Sequence, residues 1–261
     1  MSQSVRAPSA LRNLPPFPPV AAQVITMLSS EFVSFQAVAD TLKTDAALSA
    51  EVLRLANSPL VATTRYEVSS ILQALNLLGL KRLAGLVMTL SLSKMLKRAG
   101  ATQTVRRCWR HNLACGLAAA DFATSFGREA DEAYNAGLFH DLGRLAFLVI
   151  EPAQYERWVN GDGDLRELER QHFGIDHCEA GAWVIEQWKL PRVYGEVARY
   201  HHEPQPHCEL TMLVNGACAV ASRLGFAIRP LSADEIDSNP SDPLGAAITR
   251  IIETLESEYG I

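Results

Sequence analysis

Residues 137–143 of the chain read Gly-Leu-Phe-His-Asp-Leu-Gly, which sets an adjacent histidine and aspartate, His140 and Asp141, in an apolar tract. The apolar residues around this stretch repeat at helical spacing, and this spacing predicts one helix over residues 133–150. Neighbouring residues of a helix point about 100° apart. His140 and Asp141 can therefore both reach one cation only if that cation lies against the flank of the helix.

Four further histidines extend this pair into an ordered series. Five of the seven histidines and one aspartate fall at His111, His140-Asp141, His177 and His201-His202. Each lies on or beside a predicted helix, so one helical bundle can bring them together. Imidazole and carboxylate groups bind first-row divalent metals, and a carboxylate can bridge two ions about 3.5–4 Å apart. The series predicts a site for Fe, Mn, Ni or Zn, and the alternative is a set of scattered core and surface histidines.

Helical periodicity continues over most of the chain, whereas the alternating pattern of strands is scarce. The polar segment 98–103 contains a glycine and predicts a joint between two groups of helices. We therefore predict an all-α fold of two helical lobes, residues 14–100 and 104–225, the second carrying the histidine series. Residues 1–13 are expected to form a flexible lead, and residues 226–261 a loop and a last helix. The apolar segment 83–92 is expected to be a buried helix, in the core or at an interface.

Composition and charge exclude several classes of protein. Hydrophobic residues make up 48% and charged residues 20% of the 261 residues, an ordinary globular balance. The net charge of −5 offers no general electrostatic case for binding nucleic acid or an anionic membrane. The five cysteines form no CxxC pair, so we expect neither a disulfide framework nor a zinc knuckle. No apolar run reaches the roughly 18 residues of a membrane span, and the N-terminus lacks an apolar signal core. These features favour the cytoplasm.

The stretch at 137–143 is similar to the GLLHDIG signature of the HD superfamily, and the segments around it resemble the HDOD branch of that superfamily. Residues 14–18 (Leu-Pro-Pro-Phe-Pro) resemble its opening LPxLP. Residues 53–58 and 74–79 resemble its LRLANS and AIxxLG segments. Residues 173–202 resemble its FGxDHxExGxxLxxxWxLP…HH run, so the resemblance extends over about residues 14–225.

The resemblance implies an all-helical, regulatory domain whose C-terminal lobe is an HD-like helical bundle. Such domains are often joined to receiver or diguanylate-cyclase modules. In the metal-binding members of the superfamily, the histidine and aspartate that match His140 and Asp141 are ligands, together with an upstream histidine that matches His111.

Two departures from the superfamily pattern bear on activity. The hydrolytic members end their ligand set with an aspartate, and Cys218 stands at that position here. A thiolate does not reproduce a hard carboxylate, and a buried packing role is favoured over ligation for Cys218. The related cyclic-di-GMP phosphodiesterases carry HDxGK and a GYP element. Here Arg144 replaces the lysine, as a candidate phosphate-binding residue, and GYP is missing, which disfavours that activity.

Three functions stay open at this point. The first is a signalling module, not primarily a catalyst, that binds signalling proteins or a nucleotide-type ligand. The second is a metal-dependent phosphohydrolase, and the third is a metal-based redox or gas sensor with Cys218 near the ion. The metal site, either occupied or vestigial in the signalling module, is expected to consist of His111, His140, Asp141, His177, His201 and His202.

Overall fold

The computed structural model describes residues 11–12, 14–28, 32–58, 67–100, 102–205, 207–229 and 242–259. Every regular element in these ranges is helical, and they contain no strand, which confirms the all-α prediction. The helices are α1 (Pro19–Leu28), α2 (Phe35–Lys43), α3 (Ala46–Ala56), α4 (Ile71–Leu78), α5 (Leu80–Ala99), α6 (Gln103–Phe122), α7 (Ala130–Phe139), α8 (Leu142–Ile150), α9 (Pro152–Val159), α10 (Leu165–Phe173), α11 (His177–Gln187), α12 (Arg192–Tyr200), α13 (Glu209–Ala221) and α14 (Pro243–Tyr259).

The first helices begin and end where the local sequence dictates. The side chains of Ser34, Asp45 and Ser70 each accept a hydrogen bond from a backbone N–H in the first turn of α2, α3 and α4, respectively. Such caps satisfy amide groups that a helix start leaves without partners. Gly79 ends α4 with a φ of 76°, in the region that favours glycine. Helices α1 to α5 pack against one another as the first group of helices.

Helix α5 connects this group to the rest of the molecule. It packs against α1, α3 and α4 and also against α6, α7 and α8. Leu83, Val87 and Leu90 are buried, so the apolar segment 83–92 belongs to the core. In the part of the chain that the structure describes, no single helix is long and apolar enough to cross a membrane. The helical segments Ile71–Leu78 and Arg82–Lys94 reach the necessary length and apolar character only when they are taken together. These two segments are bent by 115° relative to each other.

The prediction of a single helix over residues 133–150 is wrong, because a break at His140 and Asp141 divides this segment into α7 and α8. Asp141 leaves helical geometry, with φ −108° and ψ 24°. The break lets α7 pack on α6 while α8 packs on α11. The approach of α8 to α11 is close, since a Cβ added to Gly143 would lie 1.9 Å from the carbonyl oxygen of His177. The adjacent histidine and aspartate therefore lie at a junction between helices.

Helices α6 to α13 form the bundle that carries the histidine series. Helix α6 packs against α7 and α13, and α11 packs against α8 and α12. Helix α14 returns to cover α6. The flexible lead predicted for residues 1–13 lies outside the described residues except for Leu11 and Arg12, and Leu11 is buried. Most of the loop predicted after residue 226 also lies outside them.

Candidate metal centre

The bundle gathers the predicted histidines from distant parts of the chain. They come from α6 (His111), the α7–α8 junction (His140), the start of α11 (His177) and the end of α12 (His201). Each of these four side chains is at most 3% exposed. The ring centroids of His140 and His201 are 4.9 Å apart, and those of His111 and His140 are 5.2 Å apart.

Each of these four imidazoles is held through its Nδ1 atom. A carbonyl or carboxylate oxygen can only accept, so each Nδ1 carries a hydrogen, and in the neutral ring Nε2 keeps its lone pair. Partners of this kind fix the tautomer and orientation of histidine ligands in metal sites. The acceptors are the carbonyl oxygens of Phe226 for His111 (2.8 Å), Gly137 for His140 (2.6 Å) and Ala198 for His201 (2.9 Å), and Oε2 of Glu169 for His177 (2.6 Å).

Three buried atoms converge without hydrogen-bond partners among the described residues. They are Nε2 of His140, Oδ1 of Asp141 and Nε2 of His201. The distance from His201 Nε2 to Asp141 Oδ1 is 3.6 Å, and His140 Nε2 lies 3.7 Å from Asp141 Oδ2. Buried polar atoms nearly always have partners, because an unsatisfied one is destabilising. Two imidazole nitrogens and a carboxylate oxygen fit a divalent transition-metal ion, which would satisfy all three atoms.

The guanidinium group of Arg144 lies between Asp141, His177 and Glu169. Its Nε donates to Asp141 Oδ2 at 2.9 Å, and its terminal nitrogens lie 3.0 Å from His177 Nε2 and 3.4 Å from Glu169 Oε1. The side chain is buried, so its charge is neutralised inside the protein. Phosphate binding by Arg144 stays a prediction, and it would require the guanidinium to give up these contacts.

The pKa shifts of Asp141, His177 and His201 favour the forms that bind metal. Burial alone would raise the pKa of the Asp141 carboxyl, but the charge of Arg144 and the adjacent imidazoles outweigh it and hold this pKa well below its usual value. Burial lowers the pKa of His177 and of His201 well below the usual value, and the charge of Arg144 adds to the effect at His177. At His140, burial lowers the pKa, but the charge of Asp141 and the contact with Cys218 outweigh it and raise this pKa. Metal ions bind ionised carboxylates and neutral imidazoles.

The last two predicted residues lie at the edge of the centre. His202 is exposed to solvent, and its Nε2 lies 2.9 Å from Nε2 of His177. Cys218 is partly buried on α13, and its sulfur lies 3.5 Å from Nε2 of His111. The fold therefore brings every candidate residue into one region, although three of them provide the converging free atoms. Ligation by any of them stays a prediction.

Two residues of the centre were missed by the sequence analysis. Glu169 is fully buried and accepts hydrogen bonds from the backbone N–H of His177 and from the hydroxyl of Tyr155. The signal was present, since Glu169 stands four residues from both Leu165 and Phe173, on the buried face of α10. Cys115 was not among the expected ligands, yet its sulfur lies 3.6 Å from Nε2 of His111, one helical turn away.

Solved structures share this fold. An HDOD domain protein of unknown function from Geobacter sulfurreducens is 23% identical, with 94% of this chain and 91% of that chain covered and a TM-score of 0.72. A protein from Shewanella amazonensis SB2B, named provisionally as a phosphohydrolase, is 22% identical, with 97% and 94% covered and a TM-score of 0.71. A protein from Marinobacter aquaeolei VT8, named provisionally as a signal transduction protein, is 22% identical, with 95% and 59% covered and a TM-score of 0.71. At these identities the likeness establishes the fold.

A curated relative and a family model extend the comparison. An uncharacterized protein of Treponema pallidum (strain Nichols) is 22% identical over 201 residues, which are 75% of this chain. This chain spans 38% of the length of that protein. The family model described as HDOD domain matches residues 14–204, well over half of the chain. The chain therefore belongs to the HDOD domain family.

Proposed function

We propose that this chain is a signal-transduction module that holds one divalent metal ion between His140, Asp141 and His201 and acts by binding a partner. The partner is a signalling protein or a nucleotide-type ligand, and the compartment is the cytoplasm. Membership of the HDOD family supports the regulatory role.

The burial of the three converging atoms is the observation that carries this proposal. Nε2 of His140, Oδ1 of Asp141 and Nε2 of His201 are all buried and have no hydrogen-bond partner among the described residues. A metal-dependent phosphohydrolase must bring a phosphate oxygen and a water molecule to its ion. Atoms as deeply buried as these are better suited to a structural ion, which stabilises the protein, than to a catalytic ion, which must contact a substrate.

Arg144 also favours a single ion. In a two-metal hydrolytic site a carboxylate bridges the ions, and each ion has further ligands. Here Asp141 Oδ2 and His177 Nε2 both contact the Arg144 guanidinium. Its fixed positive charge replaces a second cation. One ion would then link the α7–α8 junction to the end of α12, so that its binding alters the packing of these helices.

The metal content of the purified protein tests the proposal. The protein is treated with a chelator, loaded separately with Fe²⁺, Mn²⁺, Ni²⁺ and Zn²⁺, and analysed by mass spectrometry. We expect about one ion per chain for the preferred metal, because the atoms of His140, Asp141 and His201 converge on one position. An ion held between His140, Asp141 and His201 should be lost from both His140→Ala and Asp141→Ala. His172→Ala is the matched control, because His172 is exposed and contacts Glu151. Wild type that binds none of the four metals would refute the proposal.

A phosphohydrolase is the second candidate, favoured by the inward-facing Nε2 atoms of four histidines. It requires an opening of the centre that frees Arg144. The metal-loaded protein is assayed against phosphate monoesters, diesters and cyclic dinucleotides. We expect no turnover above the metal-free control, whereas metal-dependent turnover that His140→Ala abolishes would establish the hydrolase instead.

The metal-based redox or gas sensor stays a third prediction. The two thiols near His111 support it, since Cys115 and Cys218 lie 3.6 Å and 3.5 Å from its Nε2. An optical spectrum of the iron-loaded protein that is unchanged by oxidation or by a diatomic gas would contradict it.

A further inference from the structure

A second group of ligand atoms shares His140 with the first group. It consists of Nε2 of His111, Sγ of Cys115, a ring nitrogen of His140 and Sγ of Cys218, and all four atoms lie within 4.8 Å of one another. Neither thiol belongs to the set of histidines and aspartate on which the proposed function rests.

The spacing of these atoms matches a tetrahedral ion. A zinc ion binds imidazole nitrogen at about 2.05 Å and thiolate sulfur at about 2.3 Å, so at the tetrahedral angle these ligands lie about 3.6 Å apart. The observed distances from His111 Nε2 are 3.6 Å to Cys115 Sγ and 3.5 Å to Cys218 Sγ. Both sulfurs therefore lie at ligand spacing from this nitrogen, and all four atoms of the group are within 4.8 Å of one another.

The helices hold these side chains in place. His111 and Cys115 stand four residues apart on α6 and so share one face of that helix. Helix α13, which carries Cys218, packs directly against α6. The ring of His111 is anchored through Nδ1 to the carbonyl of Phe226. Cys115 is fully buried, so an ion bound here would be shielded from solvent on that side.

We propose that His111, Cys115, His140 and Cys218 form a second, soft-metal site that takes Zn²⁺ or a thiophilic ion such as Cu⁺ or Cd²⁺. Binding breaks the two S–H bonds, and their protons leave to solvent as both thiolates ligate the ion. Thiolates select zinc and softer ions, whereas the carboxylate of Asp141 suits harder ions such as Mn²⁺.

The two sites are alternatives because they share one ligand. Nε2 of His140 has a single lone pair and can bind one ion at a time. A chain with the soft site filled therefore lacks one ligand for an ion at Asp141 and His201. The metal that the protein meets then decides which helices are linked: α6, α13 and the α7–α8 junction for a soft ion, or α12 and that junction for a harder one.

Cobalt substitution tests this proposal, because thiolate ligands give Co²⁺ a near-ultraviolet sulfur-to-metal charge-transfer band. The full chain is titrated with Co²⁺ under a phosphine reductant and without oxygen. We expect the charge-transfer band together with the visible bands of tetrahedral Co²⁺. Cys115→Ser and Cys218→Ser should each weaken the band and lower Co²⁺ affinity more than about tenfold, since even outer partners of ligands contribute that much.

Two further variants make the result specific. Cys108→Ser changes another fully buried cysteine of α6, outside the group, and should leave the band intact. Asp141→Asn removes the carboxylate of the first site without touching either thiol, so the band should persist. Circular dichroism checks that each variant is folded. Co²⁺ bound without a charge-transfer band in wild type, and lost in Asp141→Asn, would refute the soft site while the proposed function stands. A band that survives in both the Cys115→Ser and Cys218→Ser variants would also refute it.

Discussion

At the scale of single residues, Glu169 supports the whole centre without facing the converging atoms. Its carboxylate accepts hydrogen bonds from the backbone N–H and Nδ1 of His177, at 2.8 Å and 2.6 Å, and from the hydroxyl of Tyr155. It also pairs with Arg144 at 3.4 Å. A buried anion with this many partners fixes the ring of His177 and balances a buried cation.

Glu169→Ala should destabilise the protein by about 3–5 kcal/mol, because it leaves the Arg144 charge with one buried partner fewer. Urea unfolding followed by circular dichroism measures the change. The matched control is Glu167→Ala, which removes an exposed carboxylate from the same helix and should alter stability by about 0.5 kcal/mol or less. A loss below about 1 kcal/mol in Glu169→Ala would show that the network is not a stabilising unit.

Arg144→Gln should raise the affinity of the centre for a divalent ion at least about tenfold. The guanidinium contacts Asp141 at 2.9 Å, and a fixed positive charge so close to an ion repels it strongly in a buried site. Calorimetric titration with the preferred metal measures the affinity. The variant Arg128→Gln should leave the affinity unchanged, since that partly exposed side chain pairs with Glu132 and Glu209. Equal or weaker binding in Arg144→Gln would argue against Arg144 as the stand-in for a second cation.

At the scale of helices, Gly143 and Gly216 differ in how closely other atoms pack around them, so alanine substitutions at the two positions should have opposite effects on stability. A Cβ at Gly143, in α8, would lie 1.9 Å from the His177 carbonyl oxygen, whereas a Cβ at Gly216, in α13, would meet nothing within 4 Å. Gly143→Ala should therefore force α8 away from α11 and destabilise the protein by about 1–3 kcal/mol or more. Gly216→Ala should stabilise it by about 0.5–1 kcal/mol, because alanine is the better helix former.

Thermal unfolding of the two variants checks this pair. The melting temperature should fall in Gly143→Ala and rise in Gly216→Ala, and metal affinity should fall only in the first. A normal melting temperature in Gly143→Ala would mean that α8 and α11 can separate at little cost.

At the scale of the whole molecule, α5 packs against both groups of helices. Tyr134 of α7 lies against Gly85 of α5, where an added Cβ would be 2.9 Å from its ring, and its hydroxyl is 2.9 Å from the Thr89 hydroxyl. The buried hydrophobic residues on both sides of this contact form one continuous cluster. The boundary between residues 14–100 and 104–225 stays a prediction.

Calorimetry should show a single unfolding transition in wild type, with equal calorimetric and van't Hoff enthalpies. Gly85→Val should split or broaden it, because the branched side chain pushes α5 from Tyr134. Arg82→Val introduces the same side chain at an exposed position of α5 and should keep one transition. Two transitions in wild type would show that the groups of helices unfold independently.

The sequence by itself determined the helical class, many helix ends and the identity of the candidate ligands. These features depend on residues close together in the chain. Ser70 caps α4 through residues within one turn, and Gly79 ends it through its own backbone freedom. The motif around His140 and Asp141 could likewise be recognised without knowing what surrounds it.

Only the tertiary structure decided how these residues meet. The break between α7 and α8 accompanies the close packing of Gly143 on α11, and helical periodicity does not encode such a contact. Contacts between different helices bury the charge of Arg144 beside His177 and place the Glu169 carboxylate on Nδ1 of His177. Contacts between helices also bring Cys115 close to Cys218. Distances of a few ångströms between residues tens of positions apart arise when a whole core packs, and they determine which atoms are free to bind an ion.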